Sequence, residues 1–224
     1  MTMMNENSDE GKIRLSPFGQ WVARKAAMLA TGGGSDKATA GGYIGNDSKA
    51  VAAIAQLAHA AGHEVGADPD IFVWTVPDED DAAIYPYRVP HDCAPTAEEM
   101  AAHLAMTLFA VQQQSHREQS MQTDSNMSLG RAVGMIAYGN FNEKGIRSTF
   151  DKMQTANGWA EMSHHARRLI KLLKREEIPL NYGLLAQDLV RLRRGRETAN
   201  LVRLQWGRDY QSGYRAAMNA ASDE

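Results

Sequence analysis

The sequence predicts an all-α protein made of two helical bundles joined by a polar linker. Of its 224 residues, 43% are hydrophobic and 23% are charged, as in ordinary globular proteins, and the helix-favouring residues Ala, Leu and Met are frequent. Helix start and stop signals recur along the chain, whereas no period-two alternation typical of a strand continues beyond a few residues. This composition argues against a disordered chain.

The N-terminal half begins with two predicted helices separated by a flexible loop. The first covers residues 17–31 and follows Ser16, whose hydroxyl can cap it, with a proline in the first turn. Glycine-rich residues 31–47 predict the loop. The second helix covers residues 49–62 and stops at its last glycine, and a short third element follows Asp68.

A proline-rich loop leads into the longest predicted helix of this half. Residues 77–95 carry four prolines and an acidic run, which indicate a connection without strands. Thr96 and Glu99 form a capping-box pattern, and the helix is expected to reach about residue 114 with one apolar face buried. That face consists of Met100, Leu104, Leu108 and Val111. Residues 114–126 are polar and aperiodic, and they form the predicted linker.

Every segment from Ser128 onward is predicted to be helical. Asn142 and Asn181 are candidate N-caps within this half. The predicted helices cover residues 128–137, 142–153, 159–175, 182–192 and about 197–218. We therefore expect an N-terminal helical domain over residues 1–127, acidic and with glycine-rich and proline-rich loops, and a basic C-terminal helical bundle over residues 128–224.

The net charge of −3 conceals opposite charges in the two halves. Residues 1–127 carry 8 Lys and Arg against 17 Asp and Glu, whereas residues 128–224 carry 16 against 10. The balances are therefore −9 and +6. This asymmetry predicts an acidic partner for the C-terminal half.

The sharpest feature of the basic half is an amphipathic helix over residues 162–175. A helical wheel places apolar residues on one side and five cations within roughly a third of the circumference on the other. The cations are Arg167, Arg168, Lys171, Lys174 and Arg175. No acidic residue four positions away within this stretch relieves their repulsion, so phosphate is a natural counterpart. The alternative interpretation is an ordinary solvated helix face.

Further cations flank this helix, and we expect them to converge into one track for a sugar-phosphate backbone. They are Arg131, Lys144, Arg147, Lys152, Arg191, Arg193, Arg194 and Arg196. Base-specific recognition would need groove-directed side chains or exposed aromatic residues. Trp206 and Tyr210 are instead predicted to pack in the core, beside Leu201 and Leu204. Binding is therefore expected to be independent of base sequence.

Catalytic and metal-binding patterns are weak in this sequence. His59 and His63 have the i, i+4 spacing of metal ligands, but the predicted helix ends between them and no third ligand follows. His164 and His165 are neighbours that point to different faces of a helix. Phosphate-loop, nucleophile-elbow and paired-aspartate patterns are absent from the sequence. We predict no enzyme activity, no metal and no cofactor.

The sequence also indicates where in the cell the protein is located. No run approaches the roughly 18 apolar residues of a membrane-spanning helix, and the N-terminus lacks an apolar signal core. A cytoplasmic protein without a membrane partner is therefore expected. The single cysteine, Cys93, cannot form an internal disulfide and is expected to act as a half-buried hydrophobic residue.

Several segments resemble the CasB family, the small subunit of the type I-E CRISPR Cascade surveillance complex. In the C-terminal half they are SLGRA, NEKGIRSTFDKM, ARRLIKLLKREEIPLNYGLLAQDLVRL and the closing RLQWGRDY. The likeness covers about the last hundred residues well. Weaker similarities in the N-terminal half are FGQWVARKAA and AIAQLAHAAGHEVGADPDIF.

The resemblance implies a fold, a set of partners and a role. It implies two helical bundles and two copies of the chain in the complex, with other Cascade subunits, CRISPR RNA, target DNA and the displaced non-target strand as partners. It further implies a non-catalytic role in antiviral defence, in which contacts to the guide–target duplex region and the displaced strand stabilise the R-loop. Where the family often has paired arginines, this sequence has Ala58 and His59, which puts the strand contact made there in question.

The family's basic residues carry over to matching positions of this sequence. Those positions are Arg131, Lys144, Arg147, Lys152, Arg167 and Arg168, with Arg193, Arg194 and Arg203 less firmly aligned. Together with Lys171 and Lys174 from the basic helix, they are the predicted nucleic-acid-binding residues.

Three other classes of protein remain as alternatives. A helix-turn-helix DNA-binding regulator would bind palindromic sites as an isolated dimer. A His-based metalloenzyme would retain stoichiometric metal after purification. An adaptor would use the basic face to bind an acidic protein.

Overall fold

The computed structural model describes residues 14–32, 41–87, 89–90 and 94–222, and the chain is all-α over these ranges. Within them, the β pairing is limited to an isolated bridge between Gln122 and Leu180. The helices are α1 (Pro17–Thr31), α2 (Ser48–His59), α3 (Phe72–Thr75), α4 (Ala97–Gln113), α5 (Leu129–Ala137), α6 (Glu143–Thr155), α7 (Trp159–Arg175), α8 (Tyr182–Arg193) and α9 (Arg196–Ser222). The predicted fold class is confirmed. Cys93 and residues 33–40 of the predicted glycine-rich loop lie outside the described residues.

Side-chain caps start several helices where the sequence predicts them. The Ser16 hydroxyl accepts a hydrogen bond from the first turn of α1 at 3.1 Å, and Thr96 and Glu99 make both bonds of the capping box. The Asn181 side chain accepts a hydrogen bond from the first turn of α8. Asn142 occupies the N-cap position of α6, but its side chain makes no capping bond, so this part of the prediction is wrong.

Some helix ends differ from the predicted ones. Helix α2 begins one residue early because the Asp47 carboxylate caps it, and it ends at His59, three residues before Gly62. The predicted short element is a 3-10 turn, Pro69–Ile71, that continues into α3. Helix α9 continues to Ser222, beyond the expected end near residue 218.

Helix α4 lies at the centre of the fold and is buried on every side. All residues from 101 to 113 are buried, because α1, α2, α3, α7 and α8 all pack against this helix. The prediction of a single buried face is therefore too narrow. Gln112 of α4 is satisfied internally: its side chain donates to the Ile178 carbonyl at 2.6 Å and accepts a hydrogen bond from the Tyr182 hydroxyl.

Helices from both sides of Ser128 contribute to one hydrophobic core. Helix α8 packs against α1, α4 and α9, and α7 packs against α4, α5 and α6. The division of the chain into domains at residues 1–127 and 128–224 stays a prediction.

Helices α5 and α9 approach each other closely enough for their backbones to touch. A Cβ atom at Gly134 would collide with the Tyr210 carbonyl oxygen, and one at Gly213 would collide with the Arg131 carbonyl oxygen. Only hydrogen at these positions permits this spacing. The α5–α9 pair is the most extensive helix contact among the described residues.

We expect Gly134→Ala to lower the free energy of unfolding by about 3 kcal/mol, because the added methyl group forces the two helices apart. Gly207 is a matched control on α9, since nothing lies within 4 Å of the position its Cβ would take. Gly207→Ala is expected to raise the free energy of unfolding by about 0.5–1 kcal/mol through backbone entropy. Urea unfolding of both variants measures the difference, and equal effects would contradict the backbone contact.

Trp206 and Tyr210 are buried, as predicted, whereas Leu201 and Leu204 are exposed. The Trp206 indole N–H also joins α9 to α8 by donating to the carboxylate of Asp188 at 2.9 Å. Burial raises the pKa of Asp188 from its ordinary value of 3.8 to about 6, and the Trp206 hydrogen bond and the charge of Arg191 offset this rise only in part.

This raised pKa predicts a pH-dependent contribution to stability. The folded chain binds the Asp188 proton more tightly than the unfolded chain does. The contribution is therefore complete below about pH 3.8 and is lost as the pH rises through about 6. We expect a loss of about 2 to 3 kcal/mol from this group. Asp188→Asn keeps an acceptor for Trp206 and removes the titration, so the stability difference between wild type and variant should change between pH 4.5 and 7.5. Parallel curves in urea unfolding would contradict this assignment.

Candidate nucleic-acid interface

Helices α6 and α7 form a hairpin joined by residues 156–158, and the basic face of α7 follows from its amphipathic sequence. The residues turned inward from α7 are Met162, His165, Ala166, Leu169, Ile170 and Leu173. The exposed side carries His164, Arg168, Lys171 and Arg175, spaced at i, i+4, i+7 and i+11. Sequence pattern and structure agree on which side of this helix packs, apart from Arg167 and Lys174, which are half-buried.

Six Lys and Arg side chains of this hairpin are exposed. One of them, Arg147, lies against Tyr210 of α9. The other five form what we call the α6–α7 basic strip: Lys144, Lys152, Arg168, Lys171 and Arg175. Burial, followed by the charge of His164, lowers the pKa of His165. Arg168 on α7 and Lys152 on α6 lower it further while Glu161 opposes the shift, so cations of the two helices lie near one another. None of the ion pairs found among the described residues involves a member of the strip. No member of the strip is therefore held in an ion pair by the described part of the chain.

Lys174 lies half-buried beside the strip. Burial, followed by the positive charge of Lys171, lowers the pKa of the Lys174 ammonium. Repulsion between neighbouring cations on α7 is thus present in the folded chain, as the sequence predicts.

Three of the predicted binding residues are engaged with the protein itself. The Arg167 guanidinium donates to the Ala61 carbonyl oxygen at 2.6 Å and so joins α7 to the segment after α2. Arg203 on α9 donates to the carbonyl oxygen of Gln154 at 2.7 Å. Arg194 makes an ion pair with Glu98 across 2.6 Å. These arginines hold helices together.

Of the remaining predicted residues, two lie against aromatic rings and one is half-buried. Arg147 faces α9, where its guanidinium carbon lies 5.8 Å from the Tyr210 ring centroid. Arg193 is placed similarly, 5.6 Å from the Trp159 ring centroid. Arg131 is half-buried on α5. The structure thus gathers some of the predicted cations and disperses others, and nucleic-acid binding stays a prediction for all of them.

A cavity of about 740 Å³ lies between the segment after α2, the central part of α4 and the start of α7. We call it the α2–α4–α7 cavity. Its walls include Leu104, His103, Trp159, His164, Arg167 and Arg193. Sequence analysis missed Trp159 and His103 as site candidates, because neither has a motif and only the packing of distant segments brings them together.

The histidine pair considered as a metal site has other partners. The His63 ring is edge-on to the His59 ring with centroids 5.2 Å apart, and its Nδ1 lies 2.9 Å from the Asp68 carboxylate. In the described part of the chain, no group of three or more His, Cys, Asp or Glu side chains is arranged to hold a metal ion. Ala58 packs against the core and His59 is exposed.

None of the helices in the described ranges has both the length and the apolar character needed to cross a bilayer.

Comparison with known proteins gives a consistent result. The chain matches the family model of CRISPR-associated protein Cse2 over residues 53–210. The crystal structure of CasB from Thermobifida fusca is similar at a TM-score of 0.67 and 27% sequence identity, over 88% of this chain and 99% of that chain. A comparison with curated proteins gave no match.

The fold and its surface define a class: an all-helical protein with a basic helix hairpin on its exterior. The family match covers well over half of the chain. The chain therefore belongs to the CRISPR-associated Cse2 family, which includes CasB. Membership makes it a subunit of a CRISPR Cascade complex, in a family of structural subunits that are not known enzymes.

We expect Arg194→Ala to lower the free energy of unfolding by about 2 kcal/mol, because it leaves the Glu98 carboxylate, whose side chain is 2% exposed, without its cation. The effect is smaller than for a fully buried pair, since the Arg194 side chain is 52% exposed. Arg196→Ala is the matched control, because Arg196 is exposed and takes part in none of the ion pairs among the described residues. Thermal unfolding compares the two, and indistinguishable midpoints would rule out a structural role for the Arg194–Glu98 pair.

Proposed function

We propose that this Cascade subunit binds nucleic-acid backbone through the α6–α7 basic strip, without base specificity, and stabilises the R-loop in antiviral defence. The observation that carries the proposal is the group of five exposed cations on one helix hairpin with no ion-pair partner among the described residues. The proposed partners are the CRISPR RNA, the target and displaced non-target DNA strands, the other Cascade subunits and a second copy of this chain.

The energetics favour a polyanion as the partner of this strip. Like charges at i, i+3 and i+4 on a helix destabilise it, and Arg168, Lys171 and Arg175 have this spacing. A phosphate backbone relieves the repulsion and releases its condensed counterions to solution, which supplies affinity without any base contact. The strip is therefore suited to positioning a strand, not to reading it.

A backbone-binding surface also explains how a subunit without catalytic groups contributes to the complex. Exchange of a DNA duplex for a guide–target heteroduplex is nearly balanced in free energy, so contacts between protein and backbone decide how far it proceeds. The proposed role is to add such contacts along the displaced strand or the heteroduplex. A helix-turn-helix function has no supporting feature in the described surface, and we do not propose it.

The strip can be tested by removing two of its charges. We expect Arg168→Ala combined with Lys171→Ala to weaken binding of the full-length chain to single-stranded DNA. It should also make the dependence of log Kd on log salt shallower by about 1.4, since each phosphate contact contributes about 0.7 on a single strand. Fluorescence anisotropy of a labelled oligonucleotide at several salt concentrations measures both quantities.

The control removes the same charge elsewhere. Arg208 and Arg215 are exposed on α9, and Arg208→Ala combined with Arg215→Ala should leave the slope unchanged. Equal slopes for all three proteins would overturn the strip as the binding surface. Retention of an acidic protein, in place of DNA, by the wild-type chain would support the adaptor alternative.

A further inference from the structure

Two residues that line the α2–α4–α7 cavity have buried side-chain atoms with no hydrogen-bond partner among the described residues. His103 is only 5% exposed, and its Nε2 atom makes no hydrogen bond. The Nε atom of Arg167 is likewise buried without an acceptor, although the Nη1 atom of the same guanidinium is held by Ala61. Unsatisfied buried polar atoms are costly. Both atoms are closed to solvent, so a ligand in the cavity reaches them only when the two side chains turn toward it, and it would then relieve this cost.

The two orphan atoms define what such a ligand must carry. The guanidinium of Arg167 offers only donors, so it needs an acceptor. Burial lowers the pKa of the His103 imidazole, with Asp68 opposing and His63 reinforcing the shift, so the neutral ring is favoured and can donate or accept. A ligand edge that combines donors and acceptors, such as the edge of a nucleobase, satisfies both.

One wall of the cavity is suited to a planar ring. Trp159 is half-buried at the start of α7, and the guanidinium of Arg193 lies over its ring at 5.6 Å. Aromatic and guanidinium planes are the surfaces on which unpaired bases stack in single-strand-binding proteins. The volume of about 740 Å³ lies within the range of small-ligand sites, roughly 300–1,000 Å³, and leaves room for one nucleotide.

The charge around the cavity favours an anionic group beside this ring. Arg167 and Arg193 are cations, His164 lies at the exposed mouth, and Glu64 is the carboxylate among the lining residues. His164 also precedes Arg168 by one helical turn on the exposed side of α7. The cavity mouth therefore continues the α6–α7 basic strip, and the two together span about 16 Å along α7 from His164 to Arg175.

We propose that the α2–α4–α7 cavity takes one unstacked nucleotide of the strand that follows the basic strip, with its base against Trp159 and its edge toward His103 and Arg167. The inference rests on the proposed function and adds to it a nucleotide-binding site beyond backbone contact. Arg193 and His164 are placed to contact the phosphate of this nucleotide.

The first test reads the cavity directly in the full-length chain. The protein is labelled with 5-fluorotryptophan, and Trp159→Phe identifies the fluorine resonance of Trp159. Adenosine monophosphate is expected to shift this resonance saturably while those of Trp21, Trp74 and Trp206 stay in place. No shift, or an equal shift with inorganic phosphate alone, would overturn the nucleotide site.

The second test separates the cavity from the strip. We expect the wild-type chain to bind an oligothymidylate about tenfold more tightly than an abasic deoxyribose-phosphate strand of the same length, because stacking of one base adds affinity of about this size. Trp159→Ala should abolish this preference, and Trp159→Phe, which keeps a ring, should retain most of it. Arg168→Ala combined with Lys171→Ala should weaken the binding of both strands and leave the ratio of the two affinities unchanged.

The two proposals fail in different ways. Equal, salt-dependent binding of both strands by the wild type would overturn the nucleotide site and leave the backbone function standing. Binding of neither strand would overturn the backbone function. The fluorine shift with adenosine monophosphate would then test by itself whether the cavity binds a nucleotide. Thermal unfolding of each variant ensures that a lost preference reflects binding and not a failure to fold.

Discussion

Burial of α4 on all sides from Ala101 to Gln113 is the constraint on which the rest of this structure depends. A helix without a solvent-facing side must be apolar or small almost all around, and its polar side chains must find partners inside the protein. The sequence from Ala101 to Gln113 meets both conditions except at the Nε2 atom of His103, since alanines are frequent in it and Gln112 and Gln113 bond to the segments that follow α4 and α7. Because five helices pack around this one, the relative positions of α2, α7 and α8, and hence of the cavity between them, are set by α4.

The basic residues of the C-terminal half serve two physical roles that their sequence does not distinguish. Some neutralise or bridge groups within the fold, as Arg194 does for the buried Glu98 and Arg203 does for the end of α6. Others, such as Arg168 and Lys171, form no ion pair within the described chain, so their positive charge is available to an external polyanion. A count of positive charge therefore overstates the surface available to nucleic acid, and only burial and geometry separate the two groups.

Helical periodicity and capping chemistry were enough to predict the fold class and most helix positions, because both are local properties of the chain. The inward and outward sides of α7 were predictable for the same reason. Burial of α4 on all sides was not, since it depends on which helices surround it. The partners of Arg167 and Arg194 were also beyond sequence reasoning, because Ala61 and Glu98 lie about a hundred positions away along the chain. Contacts over that separation are set by packing, and the cavity beside Trp159 arises in the same way.

Arg167 and Arg168 are adjacent in sequence but face different environments: one anchors its helix to the carbonyl of Ala61, and the other extends into solvent. Gly62, with φ at +99°, lies beside the anchored guanidinium, since a Cβ atom there would be 3.3 Å from the Nη1 atom of Arg167. A mutant that replaces both arginines at once would mix a loosened helix junction with a lost surface charge. Phenotypes of such double replacements at this dipeptide carry no information about binding unless each arginine is also changed alone.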